Sequence, residues 1–143
     1  MKIKTVLWGL ATAALLVSCS GAKLSVANEQ YARGEFYDAA QTYRKVYSKT
    51  NPRKERKLRG EIAFKMAECY RRINMAPRSS AAYQNAIRYD YPDSMALFYL
   101  ARSQQYEGKY KEAIKNYQAY LETNPQSSLA KNGIRAVSYT HLR

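Results

Sequence analysis

Two thiols, one imidazole and a run of guanidinium groups are the side chains of this sequence best suited to chemistry. The thiols are Cys19 and Cys69, and the only imidazole is His141. A nucleophilic triad needs a Ser or Cys beside a His and a carboxylate, and the one His stands at position 141 of 143. There is no HExxH pair, no Gly-rich phosphate loop and too few ligands for zinc. Asp90 and Asp93 flank Pro92, where turn and cap roles suffice for them. Cys69, next to Tyr70 in a helical pattern, reads as a small buried hydrophobe. The residues point away from an enzyme, and no metal or cofactor is expected.

Cys19 stands apart. Lys2 and Lys4 precede a largely apolar run over residues 6–17. As a helix those 12 residues reach about 18 Å, short of a bilayer core of about 30 Å. The run fits the apolar region of an export signal over residues 1–18. Leu16-Val17-Ser18-Cys19 resembles the lipobox of bacterial lipoproteins. That resemblance implies cleavage before Cys19, acylation of its sulfur, and a short lipidated linker over residues 19–24. Ser20 is not the Asp that signals inner-membrane retention, and Ser20-Gly21-Ala22-Lys23 carries no acidic cluster. The implied address is the periplasmic face of the outer membrane. An ordinary signal peptide with a Cys near the cut is the alternative.

The chain has 24 Lys+Arg against 11 Asp+Glu, a net charge of +13. Loss of residues 1–18 removes two Lys and no acid, leaving +11. Hydrophobic residues make up 46%, with 14 Tyr and 6 Gly, which excludes collagen-like, linker-like and disordered classes. Much of the positive charge lies between Arg44 and Arg72. Such a run suits nucleic acid, anionic lipid or an acidic partner. An exported address removes nucleic acid, and for most of these residues a solvated helix face suffices.

Those residues must be positioned by a repeat. The turn residues Gly34, Asn74 and Gly108 are 40 and 34 positions apart. Seven positions before each comes Ala27, Ala67 or Ala101, and nine after each comes Tyr43, Tyr83 or Tyr117. Pro52, Pro92 and Pro125 close the units. Ala113, Ile114, Tyr117, Tyr120 and Leu121 form one helical stripe, facing a helix that begins near Ser94 with Leu97, Leu100, Ala101 and Gln104 inward. The six extra residues of the first interval fall around Asn51 to Lys57. In the second unit Asn74 replaces Gly, Ala76-Pro77 stands where an aromatic packs, and Ser79 stands where Ala does. The pattern resembles the tetratricopeptide repeat, whose unit is about 34 residues. The resemblance implies an all-α solenoid of three helix-turn-helix units over residues 25–126. A capping helix over 127–137, with Leu129, Ile134 and Val137 inward, follows. Residues 138–143 fit no pattern and are expected to be unstructured or artefactual.

Tyr37, Tyr43, Tyr70, Tyr83, Tyr110 and Tyr117 are expected in the core. In tetratricopeptide repeats the first helix of each unit lines a concave groove. The resemblance places Asn28 and Tyr31 there, then Phe64, Glu68, Arg71 and Arg72, then Phe98, Arg102, Gln105 and Tyr106. Rings beside three Arg suit an extended acidic peptide.

The lipobox together with Ala67-Glu68-Cys69-Tyr70-Arg71-Arg72-Ile73 and Gly108-Lys109-Tyr110-Lys111-Glu112-Ala113 is similar to the N-terminal region of OmpA-family outer-membrane lipoproteins of type IX secretion and gliding. There the repeats precede a β-propeller and a peptidoglycan-binding domain. The resemblance implies a scaffold that links a secretion complex at the outer membrane to the wall. Peptidoglycan would be reached only through a domain beyond this sequence. Two rivals remain: a lipoprotein of the outer-membrane β-barrel assembly machine, and an accessory module of a periplasmic cell-wall enzyme.

Overall fold

A computed structural model describes residues 23–141, all of whose regular elements are helices. They are α1 over residues 23–32, α2 (Phe36–Lys49), α3 (Arg56–Arg72), α4 (Ala76–Arg88), α5 (Met95–Tyr106), α6 (Tyr110–Thr123) and α7 (Ser128–His141). The export signal and Cys19 lie outside the described residues. Within them, no helix is long and apolar enough to cross a membrane.

Left-handed residues make the tight turns. Gly34, Asn74 and Gly108 have φ of 79°, 57° and 76°, a region open to Gly and tolerated by Asn. After each, an N–H reaches back five residues: Glu35 to the Gln30 carbonyl, Met75 to Tyr70 and Lys109 to Gln104, all at 2.9 Å. This geometry satisfies the last carbonyls of α1, α3 and α5. Asp90, with φ of 57°, closes α4 in the same way through Tyr91 N–H to the Ala86 carbonyl at 3.0 Å. The expected cap and turn roles of Asp90 and Asp93 are both filled, since the Asp93 carboxylate accepts Met95 N–H at 2.8 Å and opens α5. Pro77 occupies the first turn of α4, where its missing N–H costs no helical bond.

The helices form antiparallel hairpins, each packed on the next along the chain. Ala27, Ala67 and Ala101 are fully buried where helices cross, and Tyr43, Tyr83 and Tyr117 fill the space between them. One core runs from α1 to the first half of α5, a second from α5 to α7, and Tyr99 touches both. The alternation puts the turns after α1, α3 and α5 at one end of the stack. The connections after α2, α4 and α6 lie at the other, with the start of α1. Leu24 accordingly packs into the same core as Leu58 of α3. The extra residues of the first interval form the α2–α3 connection and the first turn of α3.

Three expectations need correction. Tyr37 is 54% exposed, because it lies off the buried Ala39-Ala40-Tyr43-Val46 stripe of α2. Leu129 is exposed as well, and Ala130 and Val137 seat α7 on the core instead. The cap does not stop at 137 but runs to His141. No Pro interrupts it, and Ser138 and Thr140 hydroxyls donate to the Ile134 and Ala136 carbonyls, both at 2.9 Å.

Candidate binding cleft

Phe36 and Tyr110 stand two positions after their turn residues, and Ala76 holds that place in the second unit. Phe36 packs edge-on against Tyr31 at 5.6 Å between ring centroids. The small Ala76 leaves that volume open. The result is a cleft of about 340 Å³ lined by Arg71, Asn74, Ala76, Ser79, Arg102, Ser103 and Tyr106. Ser79 and Ser103 share a hydrogen bond of 2.9 Å on its buried side. A Ser in place of Ala thus carries no unsatisfied hydroxyl.

Two guanidinium groups face this space under different restraints. Arg71 donates to both carboxylate oxygens of Glu68, from Nε at 3.1 Å and from an Nη at 2.7 Å. It also lies 4.2 Å over the Tyr99 ring. Glu68 accepts the Tyr83 hydroxyl as well and stands 3.9 Å from Arg72. Burial alone would raise the Glu68 carboxyl. The hydrogen bonds from Arg71 and Tyr83, with the charges of Arg71 and Arg72, outweigh it and hold the carboxyl below its ordinary value. The bond to Glu68 in turn holds Arg71 protonated well above the usual arginine range, against its partial burial. Arg102 reaches Tyr106, with an Nη 3.2 Å from the hydroxyl and the guanidinium 6.0 Å from the ring centre. Among the described residues no carboxylate pairs with Arg102. The cleft therefore carries two positive charges, of which one is neutralised from below.

The structure brings Arg71, Arg102 and Tyr106 together, with Glu68 beneath Arg71. Arg72 points to the first unit, 5.0 Å over Phe36 and 5.7 Å over Tyr31. Gln105 accepts the Tyr117 hydroxyl at 3.0 Å, and Asn28 accepts Tyr43 at 2.7 Å and Lys65 at 2.8 Å. Phe64 and Phe98 do not flank the cleft. Phe64 stacks on Tyr91 at 4.2 Å. Phe98, only 4% exposed, is enclosed by Tyr99, Tyr117 and Tyr120. Asn74, Ala76, Ser79 and Ser103 were absent from the expected set. The Ala in an aromatic position was their sequence signal. Cys69 is buried as expected, and burial first of all pushes its thiol up to about 12.

Residues 95–127, which span α5 and α6, match the tetratricopeptide repeat family. The first tetratricopeptide domain of Spaghetti (RPAP3), solved bound to the HSP90 peptide SRMEEVD, aligns with a TM-score of 0.69 at 18% identity, covering 87% of this chain and 94% of that one. The Arabidopsis OM64 tetratricopeptide domain aligns with a TM-score of 0.67 at 15% identity, covering 84% and 94%. The Yersinia enterocolitica type III secretion chaperone SycD, solved with a peptide of the translocator YopD, aligns at 0.66 and 14% identity, covering 85% and 93%. No curated protein matches the chain in sequence. The fold is a tetratricopeptide-repeat solenoid of three units capped by α7.

Proposed function

We propose that this protein is a non-catalytic scaffold that holds an acidic segment of a partner protein in the cleft of its second repeat. The observation that carries this is Arg102, exposed beside Tyr106 and facing Arg71, with no carboxylate partner among the described residues. An incoming carboxylate gains charge-assisted hydrogen bonds there, and the Tyr106 ring, 71% exposed, offers apolar area that the ligand can cover. Peptides are what the similar RPAP3 and SycD folds hold, and the HSP90 peptide SRMEEVD is itself rich in acids. We further read the protein as anchored by an acylated Cys19 at the periplasmic face of the outer membrane. There it would serve a secretion or envelope complex tied to peptidoglycan through another domain. The lipobox and the resemblance to OmpA-family lipoproteins support that reading.

The test is co-purification from envelope extracts, together with titration of labelled acidic peptides and their Gln/Asn counterparts. The scaffold reading expects the acidic forms to bind at least roughly tenfold tighter, and expects Arg102→Glu to lose the captured partner. Equal binding of acidic and neutral peptides, with unchanged capture by Arg102→Glu, sinks it.

A further inference from the structure

The connection between α2 and α3 presents cations that the cleft does not use. Its shape is fixed from within. The Asn51 side-chain oxygen accepts the N–H groups of Arg53 at 2.9 Å and Lys54 at 3.0 Å, and Asn51 N–H donates to the Glu55 carboxylate at 2.5 Å. Pro52 restricts the backbone between them. The one acid of the loop is thus turned onto backbone. The side chains of Arg53, Lys54 and Lys57 remain exposed, and among the described residues none of them has a carboxylate partner. Arg56 is committed elsewhere, to Asp90 at 2.7 Å and the Arg88 carbonyl at 2.6 Å. Glu61, a turn beyond Lys57, is exposed and makes no ion pair among the described residues.

The start of α1 stands beside the first turns of α3, which directly follow this loop. Leu24, Leu58, Glu61 and Ile62 border one depression, and Lys23, the residue before Leu24, is exposed. Cys19 precedes residue 23 by four positions, a reach of at most about 14 Å. We propose that the 51–57 loop lies on an anionic phospholipid surface, with Arg53, Lys54 and Lys57 against the headgroup phosphates. This rests on the acylated Cys19 of the preceding section, which puts the headgroups within reach of the loop. Lipid chains and a basic patch together form a two-signal attachment, and the patch fixes which end of the solenoid faces the bilayer. A nucleic acid or an acidic protein would meet the same charges. The proximity of the α1 start favours the membrane.

The chain from residue 19 onward with Cys19→Ala, which carries neither the export signal nor an acylation site, is sedimented with phosphatidylcholine vesicles and with vesicles containing about a third phosphatidylglycerol. The expected result is binding to the anionic vesicles, weakened roughly tenfold or more by the combined Arg53→Glu, Lys54→Glu and Lys57→Glu changes. The combined Lys111→Glu, Lys115→Glu and Lys131→Glu changes alter net charge equally on α6 and α7 and are expected to leave it intact. Equal loss in both sets means that net charge governs binding, and overturns the proposal. So does full retention by the loop set, or loop-dependent capture of duplex DNA without capture of anionic vesicles. A milder Arg53→Gln, Lys54→Gln and Lys57→Gln set, checked for wild-type helicity, should give an intermediate loss. No loss from this folded set overturns the proposal too. Acyl labelling of the unaltered chain tests the anchor by itself: an unlabelled Cys19 removes the anchor, while the vesicle comparison still decides the loop.

Discussion

Glu68 and Arg102 hold the same place in successive repeats, each six residues before its turn residue, and carry opposite charge. In the second unit the Tyr83 hydroxyl donates to the Glu68 carboxylate. A guanidinium offers donors only, so in the third unit the Tyr117 hydroxyl turns instead to Gln105 at 3.0 Å. Arg102 is thereby left out of the interior and faces the cleft. One charge of this pair builds the site and the other waits in it.

That division separates binding from stability. Arg102→Glu should abolish capture of an acidic partner and change stability by no more than an ordinary surface substitution, about ±0.5 kcal/mol. Arg71→Glu should lose both, because it sets two carboxylates against each other beneath the cleft. Melts and peptide titrations on the two variants check this, and loss of stability in Arg102→Glu contradicts it.

Glu68 makes the fold acid-sensitive. Its carboxyl sits below its ordinary value in the folded chain, so its contribution is fully present above the unfolded value of about 4.3. That contribution fades as pH falls through the lower folded value. Glu68→Gln should cost about 1–3 kcal/mol at pH 7 and flatten the stability profile on the acid side. Parallel wild-type and variant profiles below pH 5 would remove Glu68 from this role.

Ala101 tests the repeat register. It is fully buried where α5 crosses its neighbours, so Ala101→Leu should overpack the crossing by about 1–3 kcal/mol. Lys111→Ala, on the exposed side of α6, should be close to neutral. Equal melts for the two would mean the crossing is misplaced.

Gly60 offers a sharper case. A Cβ there would stand 2.9 Å from the Tyr89 carbonyl oxygen and 3.5 Å from the Tyr89 Cβ. Helix preference alone favours Gly60→Ala by about 1 kcal/mol, yet the clash with backbone at the end of α4 should make it destabilising. Urea melts give the sign, and a stabilised variant refutes the close approach.

For the anchor, Cys19→Ala should abolish fatty-acid labelling and leave the protein extractable from membranes by high salt, because only the basic loop then holds it. Salt-resistant retention of Cys19→Ala, together with an unlabelled wild type, contradicts acylation.

The turns were legible because their cause is local. A left-handed residue is Gly or Asn almost by necessity, and Gly34, Asn74 and Gly108 said so directly. The small residues at crossings were legible for the same reason. Phe98 was misread because its burial depends on Tyr117 and Tyr120, which α6 brings over it from more than a dozen residues away. The importance of Ala76 was noted only as a lapse from the pattern. What the lapse does, opening the cleft, depends on Arg71, Arg102 and Tyr106 converging from two other helices.

The 17-residue length of α3 has an electrostatic consequence. The cationic loop borders its first turn and Arg71 stands in its last. Lys57 and Arg71 are thus separated by 14 positions, about 21 Å along the helix. At physiological ionic strength the Debye length is about 8 Å, so the field of one cationic site has decayed severalfold before it reaches the other. The two ends are insulated. An anion bound at either leaves the charge felt at the other nearly unchanged, and each can be tuned by substitution without detuning its counterpart.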